Sequence, residues 1–267
     1  MDTINVALAG AAGNLVPAIL NALLTDPRIK VTQLRRAGSK KGSDTRAPSR
    51  EVDLTSLDSL TSALQGKDVL VNTLGFGLVR VHVHLRLIDA SLASLAAGVQ
   101  RVIPSEFGVD MSKPRTGARS IFQEKIDVQK HLREIRWIGG KFRVRGCGGD
   151  LDGGDQKFST TMQAGAGRAV VGIVTRLEMT RNLIVYVREA AVSQKQLLRL
   201  AGERMVAIKE VRTVDLESQG YAEATRRAIF GDGFGSHFEE GRLANRLVGV
   251  KEMTEEELRG VVGKYRK

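Results

Sequence analysis

The fold class predicted by the sequence is α/β, a doubly wound parallel sheet followed by a smaller C-terminal α+β region, and three observations predict it. The first half alternates strand-like and helix-like stretches, the order expected of parallel strands covered on both faces. The first apolar run ends in Gly10, a second glycine follows at Gly13, and a helix-like stretch begins there. With 267 residues and 42% hydrophobic composition, the chain can bury a substantial core.

The elements follow in order. INVALAG (4–10) reads as a short buried strand, NLVPAILNALLTD (14–26) as an amphipathic helix, and IKVTQLRR (29–36) as a second strand. KKGSDTRAPSR (40–50) has the chemistry of a solvated loop. Leu54, Leu57, Leu60 and Leu64 have helical spacing, and Gly66 fits the stop of that helix. KDVLVNTLG (67–75) is the next strand, LRLIDASLASLAAGV (85–99) is helical, and QRVIPSEFG (100–108) is a strand stopped by Pro104. Ser120 to Arg136 is helical again.

The alternation then fails. Ile138 to Phe158 holds seven glycines and no apolar run long enough for a central strand, so the segment 138–156 is a shortened stretch where the sheet needs its next strand. Order resumes with a helix ending at Arg176 and capped by Ser159 or Thr160, a strand NLIVYV (182–187), and a helix capped by Ser193. MVAIKEVRTV (205–214) fits a short strand, and Tyr221 to Phe230 and Thr254 to Tyr265 fit helices, the last opening on a capping threonine followed by acids. The division expected is a nucleotide-binding domain over 1–150 and the sheet edge with a substrate region over 151–267.

Composition narrows the function classes. The formal net charge of +11 suits an anionic ligand, but the cations are scattered and aromatic content is 4%, which argues against nucleic acid. The single cysteine, Cys147, excludes an internal disulfide framework and a CxxC metal knuckle, and fits a reducing compartment. No apolar stretch approaches a membrane span and no secretory leader is evident, so a soluble, cytoplasmic protein without membrane contact is expected.

The chemistry is concentrated at strand ends. Gly10 lets the chain turn off the strand, Gly13 lets amides approach a pyrophosphate, and the following helix points its N-terminus at that charge. Val16 stands where a third glycine normally permits close packing of helix on strand, so it should push the helix outward or demand a smaller neighbour. At the end of the second strand Arg35 and Arg36, with Lys40 and Lys41 behind them, suit a 2′-phosphate better than ribose hydroxyls. A solvated basic loop is the alternative there. None of Tyr186, Tyr221 and Tyr265 has a lysine four residues on, which excludes the tyrosine–lysine mechanism of short-chain dehydrogenases. His82 and His84 alternate as on one strand face, but without a third ligand no metal site is expected. His131 and His237 read as surface or structural residues.

NVALAGAAGNLVPAIL, LDSLTSALQGKDVLVNTLG, LIDASLASLAAGVQRVIPSEFGVD, FQEKIDVQK and DGGDQKFSTT together resemble the NmrA-like, isoflavone-reductase-like branch of the atypical short-chain dehydrogenases, in its fungal form. The resemblance implies a Rossmann-like domain binding NADP(H). Gly10, Ala12, Gly13, Asn14 and Leu15 would form the pyrophosphate loop, and Arg36 would meet the 2′-phosphate. Thr73, Leu74 and Gly75 would pass beneath the cofactor, and Ser105, Glu106 and Phe107 would approach the nicotinamide. Lys125 matches the family's active-site lysine. The implied activity is hydride transfer from NADPH to a small aromatic or enone-like substrate. The alternatives are an NADP(H)-sensing regulator acting on a protein partner, or an inactive shortened family member. Two departures stand out: Val16, and the glycine- and arginine-rich stretch 138–149 in place of the family's strand and GPF-like loop. That stretch is either an aberrant splice or reading-frame segment or a genuine decay of the substrate site.

Overall fold

The computed structural model describes residues 2–10, 13–39, 44–75, 81–93, 99–108, 110, 123–134, 154–201, 229–230 and 236–264. Five parallel strands form one sheet: β1 (Ile4–Ala9), β2 (Ile29–Arg36), β3 (Ser49–Val52), β4 (Val69–Asn72) and β5 (Arg101–Ile103), in the order β3-β2-β1-β4-β5. β1 lies between β2 and β4, pairing Val6 with both Val31 and Val69. The chain leaves β1 toward one side and returns on the other, which makes the crevice at the carboxyl ends of β1 and β4 a switch point.

Helices cover both faces. Val6, Leu8, Val69 and Val71 point to a core shared with α1 (Val16–Leu23) and α5 (Gln163–Val174). Ala7, Ala9 and Leu70 point to the opposite core, under α2 (Leu57–Leu64) and α3 (Val81–Ala93). β1 and β4 are buried on both sides, as a central parallel strand must be. α4 (Gln123–Glu134) packs on α3, where His131 meets Asp89 at 2.8 Å.

Val16 is accommodated within the first of these cores. Its neighbour is small: a Cβ on Gly13 would meet Val16 Cγ2 at an ordinary 3.6 Å. Close helix packing occurs instead between α1 and α5, where a Cβ on Gly167 would lie 2.6 Å from the Ala18 carbonyl oxygen.

Beyond α4 the structure holds an antiparallel pair, β6 (Phe158–Thr160) with β7 (Ala190–Val192). Phe158, Val192, Ile229, Phe230 and Leu258 form its core, together with the partly buried Leu197 of α6 (Gln194–Ala201). A short α7 (Asn245–Val248) precedes α8 (Glu255–Gly263), which opens on the expected cap: Thr254 Oγ1 accepts the Glu257 N–H at 3.2 Å, and the Glu257 carboxylate accepts the Thr254 N–H at 2.8 Å. Asp110, after β5, ties this region to the sheet by accepting from Tyr186 Oη at 2.9 Å and pairing with Arg242 at 3.1 Å.

Several expectations are corrected. Residues 49–52, inside and after the stretch read as a loop, form edge strand β3. Ser159 and Thr160 belong to β6; the N-cap of α5 is Met162, whose N–H donates to the Glu189 carboxylate at 2.6 Å. Of NLIVYV, only Tyr186 makes a bridge, to Leu243, and Leu183 and Ile184 are exposed. A strand is defined by its neighbour, which an apolar run does not reveal. His82 and His84 lie on α3, not on a strand; two residues apart on a helix they face different ways, His82 outward and His84 inward. Ala12, the segment 135–153, the stretch 205–214 and residues 221–228 lie outside the described residues.

Candidate active site

The end of β1 makes the first wall. Gly10 has φ +100°, a left-handed conformation that favours glycine, and a Cβ there would fall 2.6 Å from Thr73 Oγ1. The turn closes when the Gly13 N–H donates to the Gly10 carbonyl at 2.8 Å. α1 begins immediately after, with Leu15 at its cap position and no side chain capping it. Asn14 is exposed and Leu15 half-buried. No side chain competes for this helix start, although the Val16 N–H already donates to the Gly13 carbonyl at 3.2 Å and Pro17 brings no N–H.

The end of β4 makes the second wall. Thr73 is fastened to β1 through its N–H and its hydroxyl, both donating to the Ala9 carbonyl, at 2.9 and 2.6 Å. Leu74 is fastened at both ends: its N–H donates to Asn72 Oδ1 at 3.0 Å, and its carbonyl accepts from the Ser105 hydroxyl at 2.7 Å. Gly75 is exposed at the rim.

The third wall comes from β5 and α4. Pro104 ends β5, and two tight turns follow, Glu106 N–H to Pro104 carbonyl and Gly108 N–H to Glu106 carbonyl. Two residues one helical turn apart on α4 grip this segment: Lys125 Nζ donates to the Ser105 carbonyl at 3.4 Å, and Gln129 Nε2 donates to Glu106 Oε2 at 2.8 Å. The Glu106 carboxylate thus turns toward α4, and Phe107 packs against the core beneath α1.

The two arginines of β2 separate. Arg35 forms an ion pair with Glu51 of β3 and also donates to the Ser39 carbonyl at 3.1 Å. Arg36 is exposed and, among the described residues, makes no ion pair. Residues 44–47 behind them are anchored by a residue the sequence reading passed over: buried Gln33 donates to the carbonyls of Asp44 and Ala47 at 2.7 and 2.9 Å and accepts the Asp44 N–H at 3.2 Å.

Asn72 was missed as well, and His84 was weighed only as a metal ligand. His84 is 0% exposed, with Nδ1 3.2 Å from Asn72 Nδ2. Burial, and then the Lys125 charge, push its pKa down to about 4. A polar residue closing the apolar run VLVN was the one signal for Asn72.

The sequence model of the NmrA-like family matches residues 2–138. The chain belongs to the NmrA-like family. The oxidoreductase aprR of Aspergillus flavus is 32% identical to it over 269 residues, spanning 90% of this chain and 84% of that protein. Among solved structures, AtPrR2 with NADP+ and (+)-pinoresinol superposes with a TM-score of 0.74 at 18% identity, covering 98% of this chain and 99% of the other. An isoflavone reductase superposes with a TM-score of 0.75 at 15% identity, covering 99% of each chain. These superpositions establish the isoflavone-reductase-like fold of this NmrA-like chain. Among the described residues, no group of histidine, cysteine and carboxylate side chains is set to hold a metal, and no helix is long and apolar enough to cross a membrane.

Proposed function

We propose that this NmrA-like chain is an NADPH-dependent reductase of a small aromatic or enone-like molecule. The observation that carries the reading is the convergence of four separated segments on one crevice: Gly10 after β1, Thr73–Leu74 after β4, Ser105 after β5, and Lys125 reaching Ser105 from α4. An aprR-type oxidoreductase relative and an NADP+-holding structural relative support it.

The residues present fit a dinucleotide. The side-chain-free turn at Gly10 and Gly13 and the uncapped start of α1 would take the pyrophosphate, with Ala12, Asn14 and Leu15 completing the loop. Arg36 would take the 2′-phosphate. Thr73, Leu74, Gly75, Ser105, Glu106 and Phe107 would form the floor toward the nicotinamide. When bound, the reduced nicotinamide supplies a hydride. Lys125 would orient the ribose through its ammonium donors and hold the proton that balances the hydride on the substrate. Residues 1–150 would form the cofactor-binding part, and 151–267 the sheet edge and substrate region.

The test is NADPH and NADH binding followed by nicotinamide fluorescence, then NADPH consumption with a panel of enones. Tighter binding of NADPH and turnover that falls by about 10²–10⁴-fold in Lys125→Ala support the reading. Binding without consumption across the panel would instead favour a dinucleotide-sensing regulator with a protein partner. Folded protein that binds neither nucleotide would overturn both.

A further inference from the structure

His84 touches the candidate site from behind, and its hydrogen bonding has a single consistent assignment. Asn72 Oδ1 is occupied by the Leu74 N–H, so the Asn72 NH₂ is the group that faces the imidazole. An NH₂ group only donates, so His84 Nδ1 must accept, and the proton of the neutral ring is on Nε2. From Asn72 the connections run on through Leu74 to the Ser105 hydroxyl, and from the Ser105 carbonyl to Lys125. The Lys125 charge in turn acts on His84. Four hydrogen bonds therefore join five residues in one chain along the crevice wall, from His84 on α3 through Asn72, Leu74 and Ser105 at the ends of β4 and β5 to Lys125 on α4.

We propose that His84 is a positioning residue of this site: as a neutral acceptor it locks Asn72, and through Asn72 it fixes the Leu74 backbone, Ser105 and the seat of the Lys125 ammonium. The effect of this chain of hydrogen bonds on turnover rests on the reductase reading; its geometry does not. A side chain that merely filled the space would leave the Asn72 NH₂ a buried donor without its acceptor, free to rotate and to release Leu74. An imidazolium would oppose one donor with another and set a second cation against Lys125.

Two substitutions separate acceptor from filler. His84→Asn places an amide oxygen where Nδ1 stands, whereas His84→Leu keeps bulk without an acceptor. Lys125 is read directly from the ¹³C resonance of the reductively methylated protein, assigned with Lys125→Arg. The expected result is a Lys125 resonance that shifts in His84→Leu and returns in His84→Asn. Turnover should fall by about tenfold or more in His84→Leu, the loss of one hydrogen bond, and recover to within about threefold in His84→Asn. In the wild type, ¹⁵N spectra should show His84 as the Nε2–H tautomer between about pH 8 and 5.5.

A proton on Nδ1, or a Lys125 resonance that is the same in all three proteins, overturns the proposal even if NADPH is bound and consumed. Protein that neither binds nor consumes NADPH overturns the reductase reading alone, because the two spectra still decide the chain of hydrogen bonds. Should His84→Leu fail to fold, the wild-type tautomer remains decisive, and a Lys125 resonance that moves in His84→Asn still overturns the proposal.

Discussion

Gly10 and Thr73 approach so closely that no side chain fits between them: a Cβ on Gly10 would lie 2.6 Å from Thr73 Oγ1, 2.9 Å from its carbonyl carbon and 3.0 Å from the Leu74 nitrogen. Two of those three atoms are backbone held by the β1–β4 contact, so the clash has no cheap relief. The positive φ of Gly10 adds strain for any other residue. Gly10→Ala should lower stability by about 2–4 kcal/mol in denaturant melts and abolish NADPH binding. Gly38→Ala is the control, since Gly38 also has positive φ but nothing within 4 Å of its Cβ position, so it should lose only about 1 kcal/mol.

Arg36 should dominate nucleotide preference. The Arg35 guanidinium is engaged by Glu51 and the Ser39 carbonyl, whereas Arg36 is exposed without an ion pair among the described residues. Removing a charge-assisted contact to a 2′-phosphate costs about 1.5–3 kcal/mol, so Arg36→Ala should weaken NADPH by about 10- to 100-fold and leave NADH unchanged. Arg35→Ala should change either affinity by less than about threefold. Equilibrium titration with both nucleotides checks this; equal losses for the two would remove Arg36 from the 2′-phosphate role.

The parts of the fold that were legible are those whose signal is local. β1, α1, β2, β4 and β5 are written in contiguous apolar runs and a glycine turn, and the Gly10–Gly13 loop, Thr73 and Ser105 lie at the ends of those runs. β3 was hidden because an edge strand needs little apolar surface; Ser49, Arg50 and Glu51 are exposed and only Val52 is buried. Val-His-Val-His reads equally as a strand or as the start of a helix, and only the packing of α3 decides. The site connections that were missed, Asn72 with His84 and Glu106 with Gln129, join residues 12 and 23 positions apart across different elements. No spacing rule along one element reports such a pair.

His84 also sets a pH dependence of stability. Its pKa falls from 6.5 to about 4 in the folded protein, first through burial and then through Lys125. Between those two values the unfolded chain binds a proton that the folded chain refuses, so unfolding takes up protons and stability rises with pH across this window. Stability is thus fully present above the unfolded value and is lost as pH falls toward 4, by up to about 3 kcal/mol for this one group. Denaturant melts at a series of pH values should show that slope in the wild type and a shallower one in His84→Asn, which has no proton to take up. Equal slopes in the two proteins would mean that His84 titrates normally and that burial and the Lys125 charge do not hold it neutral.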